Sequence, residues 1–353
     1  MTLKEIAERA GVSTATVSYV LNASGKVGEA TREKVLRIIE ETGYRSNMLA
    51  KGLRSGRSNL IGVLVEDVTA KNVPAIIDGI SSAAEKCGCQ TMLGNLRLLS
   101  KIDPNTDDMA AYRDEIDRAM DTFRSMRVDG VIYVGMHDRK IPHIFREDDI
   151  PLVYCYCYTE GEGSSVCYDN MGAAYEIARR FLDAGHRKIA VMAGRKDSDP
   201  NRRRLAGIKR AIEEYGLLFS ESEIYSGNWD YETSRGIALE VLRRENRPRA
   251  FIALNDEMAV GIRDAAAELQ ITIPDELSLS GFDNDDVIRY ELPKITTVDR
   301  PLIRMGMRAM EILLGKVGQY NAENVNVVLP CTVVEGASIC NVQQTKPGIS
   351  SSG

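Results

Sequence analysis

Residues 2–22 read TLKEIAERAGVSTATVSYVLN, and the spacing of the apolar positions in this stretch decides what the N-terminal part of the chain is. Thr2 followed by Glu5 makes a capping box, in which a hydroxyl and a carboxylate each satisfy a free backbone N–H at a helix start. Leu3, Ile6, Ala7 and Ala10 then recur along one helical face. Gly11 ends that helix, because a left-handed residue is least strained at glycine. Ser13 stands where it can cap a second helix, with Val17, Val20 and Leu21 on its inward side. A third helix is predicted from 31 to 42, with Val35, Ile38 and Ile39 inward and Gly43 closing it. Two short helices joined by a glycine-containing turn form a helix-turn-helix. Its second helix exposes Thr14, Ala15, Ser18, Tyr19 and Asn22, whose hydroxyls and amide suit phosphate oxygens or base edges. Taken alone, the same pattern also fits a plain three-helix bundle with a polar, solvated face.

Charge separates this head from the rest. Residues 1–58 hold ten basic and six acidic side chains, a net +4, and the whole chain carries −6, which leaves −10 beyond residue 58. A small basic module on an acidic body is the polarity of a nucleic-acid reader carried by a different kind of domain. The segment YRSNMLAKGLRSGRS, 44–58, is basic and holds Gly52 and Gly56, which reads as a linker.

From residue 59 the pattern changes. Apolar, β-rich runs at 60–65, 90–94, 129–134, 151–157, 188–193, 250–254 and 277–281 alternate with amphipathic helical stretches. That alternation predicts parallel sheets covered by helices. IGVLV from 61 leads to Gly79-Ile80, and IAVMA from 189 leads to Gly207-Ile208, the same 18-residue interval twice. Two similar α/β halves are expected, with a ligand between them at the carboxyl ends of the strands.

Catalytic and metal constellations are absent from the sequence. His137, His143 and His186 have no ligand spacing, and the DNDD run at 283–286 lacks the alternating pattern of a calcium loop. There is no phosphate-cradling glycine loop and no nucleophile elbow. Seven cysteines (87, 89, 155, 157, 167, 331, 340) form no CxxC pair and read as buried, reduced thiols. No apolar run approaches the roughly 20 residues of a membrane span. The N-terminus lacks a signal-peptide pattern, which points to the cytoplasm.

These stretches together resemble the lactose/galactose-repressor (LacI/GalR) family. The 2–22 stretch matches its DNA-binding signature almost position for position, and NMLAKGL at 47–53 resembles its hinge helix. Further matching segments are VDGVI (128–132), DNMGAA (169–174), GHRKIAVMAG (185–194), RLAGI (204–208), ALNDEMAVG (253–261), LSLSGFDN (277–284) and ITTVDRP (295–301). The resemblance implies an all-α helix-turn-helix head (1–46), a hinge (47–58), and a bilobal periplasmic-binding-protein-like body of two Rossmann-like, parallel-sheet lobes (59–340). Lobe 1 is expected at about 59–161 and 292–321, and lobe 2 at about 162–291 and 322–340, followed by a polar tail at 341–353.

The resemblance further implies a symmetric dimer, a transcription regulator of the repressor type, that reads a near-palindromic operator and responds to a small molecule, a sugar or sugar derivative. It needs no cofactor, and a solute-binding protein without DNA function is the alternative that the head argues against. Against DNA it sets Thr2, Ser13, Thr14, Ala15, Thr16, Ser18, Tyr19 and Asn22 of the head, and Asn47, Ala50 and Leu53 of the hinge. Around the effector it sets Glu66 and Tyr156 from lobe 1, and Arg204, Trp229, Asn255 and Asp283 from lobe 2. A guanidinium fork, a carboxylate, an amide and an indole suit polyol recognition. Three positions depart from the family pattern. Ser46 stands for a common Pro, Tyr19 for a common Arg, and Tyr156 for a common acid. The 95–127 segment is longer than usual, with a loop expected at Pro104–Asp108 and a helix from Met109 to Met126.

Overall fold

The computed structural model describes residues 2–21, 25–43, 57–101, 112–145, 150–161, 163–290, 292–317 and 322–342. Asn22, Asn47, Ala50, Leu53, the loop at 104–108 and most of the polar tail lie outside the described residues.

Among the described residues the head is three helices, α1 (Leu3–Ala10), α2 (Thr14–Leu21) and α3 (Glu29–Thr42). Both capping-box bonds are present: Glu5 N–H donates to Thr2 Oγ1 at 3.3 Å, and Thr2 N–H to Glu5 Oε2 at 2.9 Å. Gly11 closes α1 at φ 66°. Thr16 N–H donates to Ser13 Oγ at 3.1 Å, so Ser13 does cap α2. Ile6, Ala7, Ala10, Val17, Val20 and Val35 make the small core, with Leu21, Ile38 and Ile39 packed partly buried around it. The third helix begins two residues before its expected start, because the Gly28 carbonyl already accepts from Thr31 and Arg32 N–H.

In the body, β1 (Leu60–Val65), α4 (Val73–Lys86), β2 (Gln90–Asn95), α5 (Arg113–Ser125), β3 (Gly130–Val134), β4 (Leu152–Cys155) and β5 (Ser164–Tyr168) come first. There follow α6 (Asn170–Asp183), β6 (Ala190–Ala193), α7 (Asp199–Glu214), β7 (Ile224–Ser226), α8 (Tyr231–Leu242), β8 (Ala250–Ala253), α9 (Asp256–Glu268) and β9 (Ser278–Ser280). The chain ends with β10 (Thr297–Asp299), α10 (Leu302–Lys316), β11 (Asn326–Leu329) and β12 (Thr332–Val334). One sheet has the order β11-β5-β4-β3-β1-β2 and another the order β7-β6-β8-β9. Every pairing within both is parallel. The inner strands are buried on both faces, as a sheet sandwiched between helices requires.

The strand pairing corrects the expected lobe boundary. β5 and β11 pair with each other in the first sheet, Val166 opposite Val327. Lobe 1 therefore runs to Tyr168 rather than 161, and takes back 326–329 from lobe 2. The antiparallel β10–β12 pair then carries the chain between lobes. Lobe 2 also reaches beyond 340, since Val342 N–H donates to the Ala184 carbonyl at 2.8 Å. In the long 95–127 segment the helix starts at Arg113, with Ile116, Met120 and Phe123 buried on the sheet.

The repeated Gly-Ile pair has a packing cause. A Cβ on Gly79 would lie 2.0 Å from the Ile303 carbonyl oxygen of α10, and one on Gly207 2.1 Å from that of Met171 in α6. In each lobe the helix that follows the first sheet strand crosses another helix at backbone contact, and only glycine fits there. The isoleucine beside each, Ile80 or Ile208, is fully buried.

Candidate functional site

A cavity of about 550 Å³ lies between the lobes, and residues from both line it. Tyr156, Arg204, Trp229, Asn255 and Asp283 all reach it, together with Lys71, Asn72, Tyr168, Arg195, Asp197 and Arg300, for which sequence reasoning gave no site role.

Arg204 is 3% exposed. Its Nε donates to Asn170 Oδ1 at 2.8 Å and its Nη2 to the Tyr168 hydroxyl at 2.9 Å, and Nη1 donates to the Leu254 carbonyl. Its guanidinium lies 3.6 Å from the Phe282 ring centroid. Every nitrogen is thus engaged, and the plane of the group is fixed against the cavity. Asp283, in the left-handed region at φ 119°, faces two guanidinium groups. Its Oδ1 is 3.4 Å from Arg204 Nη2 and 3.2 Å from Arg300 Nε.

Arg300 follows β10 and is buried where the chain passes between lobes. Its Nη1 donates to the Tyr156 hydroxyl at 3.0 Å and its Nη2 to Asn72 Oδ1 at 2.8 Å, both in lobe 1, while Asp285 Oδ1 stands 3.5 Å from Nη2. Burial pushes the Arg300 pKa down, but Asp283 and the two phenols outweigh it and hold it well above the usual value. The residue sits in ITTVDRP, and the only signal in the sequence was an arginine following a β-rich run; nothing local says that it turns inward.

Trp229 and Asn255 work together. Asn255 caps α9, accepting from Met258 N–H at 2.9 Å, and its amide donates to the Trp229 carbonyl at 3.2 Å. That bond helps to hold Trp229 at φ 68°, and the indole lies over Gly194, where a Cβ would be 2.0 Å from the ring. One side chain thus serves as both helix cap and cavity wall.

Glu66 corrects the expectation that it faces the effector. It is fully buried and absent from the cavity wall. Its carboxylate accepts from Arg139 Nη1 at 2.9 Å and Nη2 at 3.1 Å, the Tyr133 hydroxyl at 2.8 Å and Met136 N–H at 2.8 Å. A buried carboxylate needs such partners, and Arg139 supplies them from 73 residues away. The pair instead anchors the loop carrying Met136 and His137, which do line the cavity.

The lobes also meet at two rims. Lys71 pairs with Glu257 on one side. On the other, Asp199 Oδ2 accepts from Lys140 N–H at 2.9 Å and the Tyr158 hydroxyl at 3.2 Å. Beneath the cavity, Asp256 Oδ1 accepts from the Thr297 hydroxyl at 2.7 Å and Oδ2 from Asp285 N–H at 2.8 Å. Burial, then the charge of Asp283, pushes the Asp256 carboxyl up to about 8.

In the head, Thr2, Ser13, Thr14, Ala15 and Tyr19 are exposed, and Thr16 and Ser18 half-buried. Tyr19 is 50% exposed, with its ring over Gly25. Asp129 holds the chain at the start of the body. Its carboxylate accepts from Ser58 N–H at 2.7 Å, Ser58 Oγ at 2.9 Å and Asn59 N–H at 2.8 Å, gripping the chain as it enters β1.

A helix-turn-helix head on a two-lobed body with a polar, aromatic cleft defines a DNA-binding regulator switched by a small molecule. Residues 2–47 match the description "Bacterial regulatory proteins, lacI family", and 178–339 match "Periplasmic binding protein-like domain". The HTH-type transcriptional repressor PurR of Vibrio parahaemolyticus is 31% identical over 319 residues, 90% of this chain and 92% of that protein. Catabolite control protein A of Priestia megaterium is 29% identical, over 94% of this chain and 96% of its own. The chain belongs to the LacI family of bacterial regulatory proteins. Among solved structures, a CelR–cellobiose complex matches with a TM-score of 0.62 at 26% identity, over 96% of this chain and 99% of that one. The lac repressor dimer bound to operator shares the fold, with a TM-score of 0.76 at 23% identity over the same shares.

Proposed function

We propose that the protein is a homodimeric transcriptional repressor whose effector, a sugar or sugar derivative, sits among Tyr156, Arg204, Trp229, Asn255 and Asp283. The observation that carries this reading is the cavity between the lobes, in which an indole face, a fixed guanidinium and a carboxylate converge. Sugars offer a ring face to the indole and vicinal hydroxyls to the charged groups. The PurR relatives are named repressors, and the CelR structure holds cellobiose. The chemistry and the domain order also suit work in the cytoplasm.

The switch follows from the connections. Arg300 bridges Tyr156 and Asn72 in lobe 1 to Asp283 and Asp285 at the crossing, so an effector touching this network shifts one lobe against the other. In a dimer, movement of lobe 1 alters the spacing of the two points at which Asp129 grips the entering chain. That spacing sets whether two heads meet two half-sites at once, with Thr14, Ala15 and Tyr19 facing bases, Thr2, Ser13, Thr16, Ser18 and Asn22 alongside, and Asn47, Ala50 and Leu53 at the minor groove. A coupling of about 1–3 kcal/mol is typical of such devices.

Selection of bound duplexes from random-sequence DNA tests the reading. A near-palindrome is expected, bound with strong salt dependence and released or tightened by a sugar that also changes Trp229 fluorescence. Recovery of no enriched sequence overturns it.

A further inference from the structure

The base of the cavity is rich in hydrogen-bond donors that have nothing to donate to. The Tyr156 hydroxyl accepts from both Asn72 Nδ2 at 2.9 Å and Arg300 Nη1 at 3.0 Å. Its two lone pairs are thereby occupied, and its own proton has no acceptor among the described residues. The Tyr168 hydroxyl accepts from Arg204 Nη2 at 2.9 Å, and its proton likewise has no acceptor among them. The two phenol rings stack with centroids 5.9 Å apart, and both residues line the cavity. Beside them Arg300 Nε, fully buried, makes no hydrogen bond among the described residues; its approach to Asp283 Oδ1 at 3.2 Å is an ion pair without hydrogen-bond geometry.

Acceptors are correspondingly few. Asn72 Oδ1 is taken by Arg300 and Asn255 Oδ1 by Met258 N–H. Asp197 is held by Arg195 at 2.7 Å, and Asp283 is shared between two guanidinium groups. With Glu66 turned away to Arg139, the described residues of the lobe 1 wall bring no carboxylate to the cavity. A neutral polyol hydroxyl presents a proton wherever it accepts one, and that proton would find little to bind here. A carboxylate only accepts, at about four lone-pair positions.

Resting on the reading of this cavity as the effector site, we propose that the effector is a polyhydroxy carboxylate, a sugar acid, whose carboxylate is received by the Tyr156 and Tyr168 hydroxyls and Arg300 Nε. Its hydroxyls then face Asp283 and Ser198, and its carbon skeleton lies along Trp229. Burial raises the pKa of both phenols, so the two protons stay in place at physiological pH.

The test uses the full-length protein, Trp229 fluorescence and calorimetry, with aldonates, uronates and aldarates each paired with its neutral parent: gluconate and glucuronate against glucose, galacturonate and galactarate against galactose. At least one acid is expected to bind about tenfold or more tightly than its parent, the strength of one charge-assisted hydrogen bond. Tyr168→Phe and Arg300→Gln are each expected to shrink that advantage by about tenfold; Tyr156→Phe serves if the arginine variant does not fold. A neutral sugar binding as well as its acid, an acid whose advantage survives the variants, or binding of no acid overturns the proposal. Glucose 6-phosphate binding more tightly than glucuronate overturns the carboxylate in favour of a phosphate. Binding of the selected operator by the same preparation separates the two levels. Operator bound with no preference for acids defeats the sugar-acid assignment alone, and loss of operator binding by the unaltered protein defeats the regulator reading itself.

Discussion

The head and the cleft are built on opposite principles. In the head, the capping and turn hydrogen bonds join residues close in the chain: Thr2 with Glu5, Ser13 with Thr16, Ala7 with Val12. In the cleft, the contacts that tie the charged groups together join distant ones. Glu66 meets Arg139, Arg204 meets Tyr168 and Asp283, and Arg300 meets Asn72 and Tyr156 across more than 140 residues. A locally determined unit can be redesigned by its surface without moving the rest. A network assembled from many segments fails as a whole when one member is lost.

The largest expected effect lies in the body. Glu66→Ala removes the buried carboxylate to which both terminal nitrogens of Arg139 donate, and is expected to destabilise the body by about 3–5 kcal/mol. Urea unfolding followed by Trp229 fluorescence reads this directly. A loss below about 1 kcal/mol would mean that the pair is hydrated in solution and would break the contrast drawn here. In the head, Ile6→Ala removes a fully buried side chain from a core of a few residues, for a loss of about 2–5 kcal/mol. So small a unit has little stability to lose, so operator binding is expected to disappear while the Trp229 unfolding curve stays in place. A shift in that curve would show that head and body fold as one.

This division also explains what was legible in the sequence. The helix-turn-helix could be read to the residue, because caps and 3.6-residue periodicity are local signals. The α/β alternation was legible too. β5 was not, since SSVCY is short and opens on two serines, and it earns its place by lying between β4 and β11. Tyr156, Arg204, Trp229, Asn255 and Asp283 were nominated by the family resemblance and do reach one cavity. Glu66 was misplaced and Arg300 was missed for one reason. Whether a charged side chain at a strand end faces a cavity or a buried partner depends on residues that no spacing rule connects to it.

A smaller effect concerns pH. Asp256 has a folded pKa of about 8, raised above its ordinary 3.8 by burial and Asp283. A group raised in this way is more protonated in the folded state, so its contribution is fully present below about 3.8 and is lost as pH rises through about 8. Body stability is therefore expected to fall over that window, and Asp256→Asn, which carries no titrating proton, to flatten the decline. An equal slope in the variant would assign the pH dependence elsewhere.

The smallest effect separates two roles of one residue. Thr2 caps α1, and it is also among the residues proposed to lie against DNA. Thr2→Ala removes the cap and is expected to cost about 1 kcal/mol of head stability, seen as faster amide exchange at Ile6 and Ala7. Taken alone, weaker operator binding by that variant would not tell a lost cap from a lost contact. Thr2→Asp does tell them apart. Aspartate caps as well as threonine, and its charge is favourable at a helix N-terminus. Against a phosphate the same charge is repulsive. Amide exchange is therefore expected to stay at the unaltered rate while operator affinity falls by about tenfold or more. If affinity holds, Thr2 serves the head only through α1, and the polar surface that meets DNA begins at Ser13.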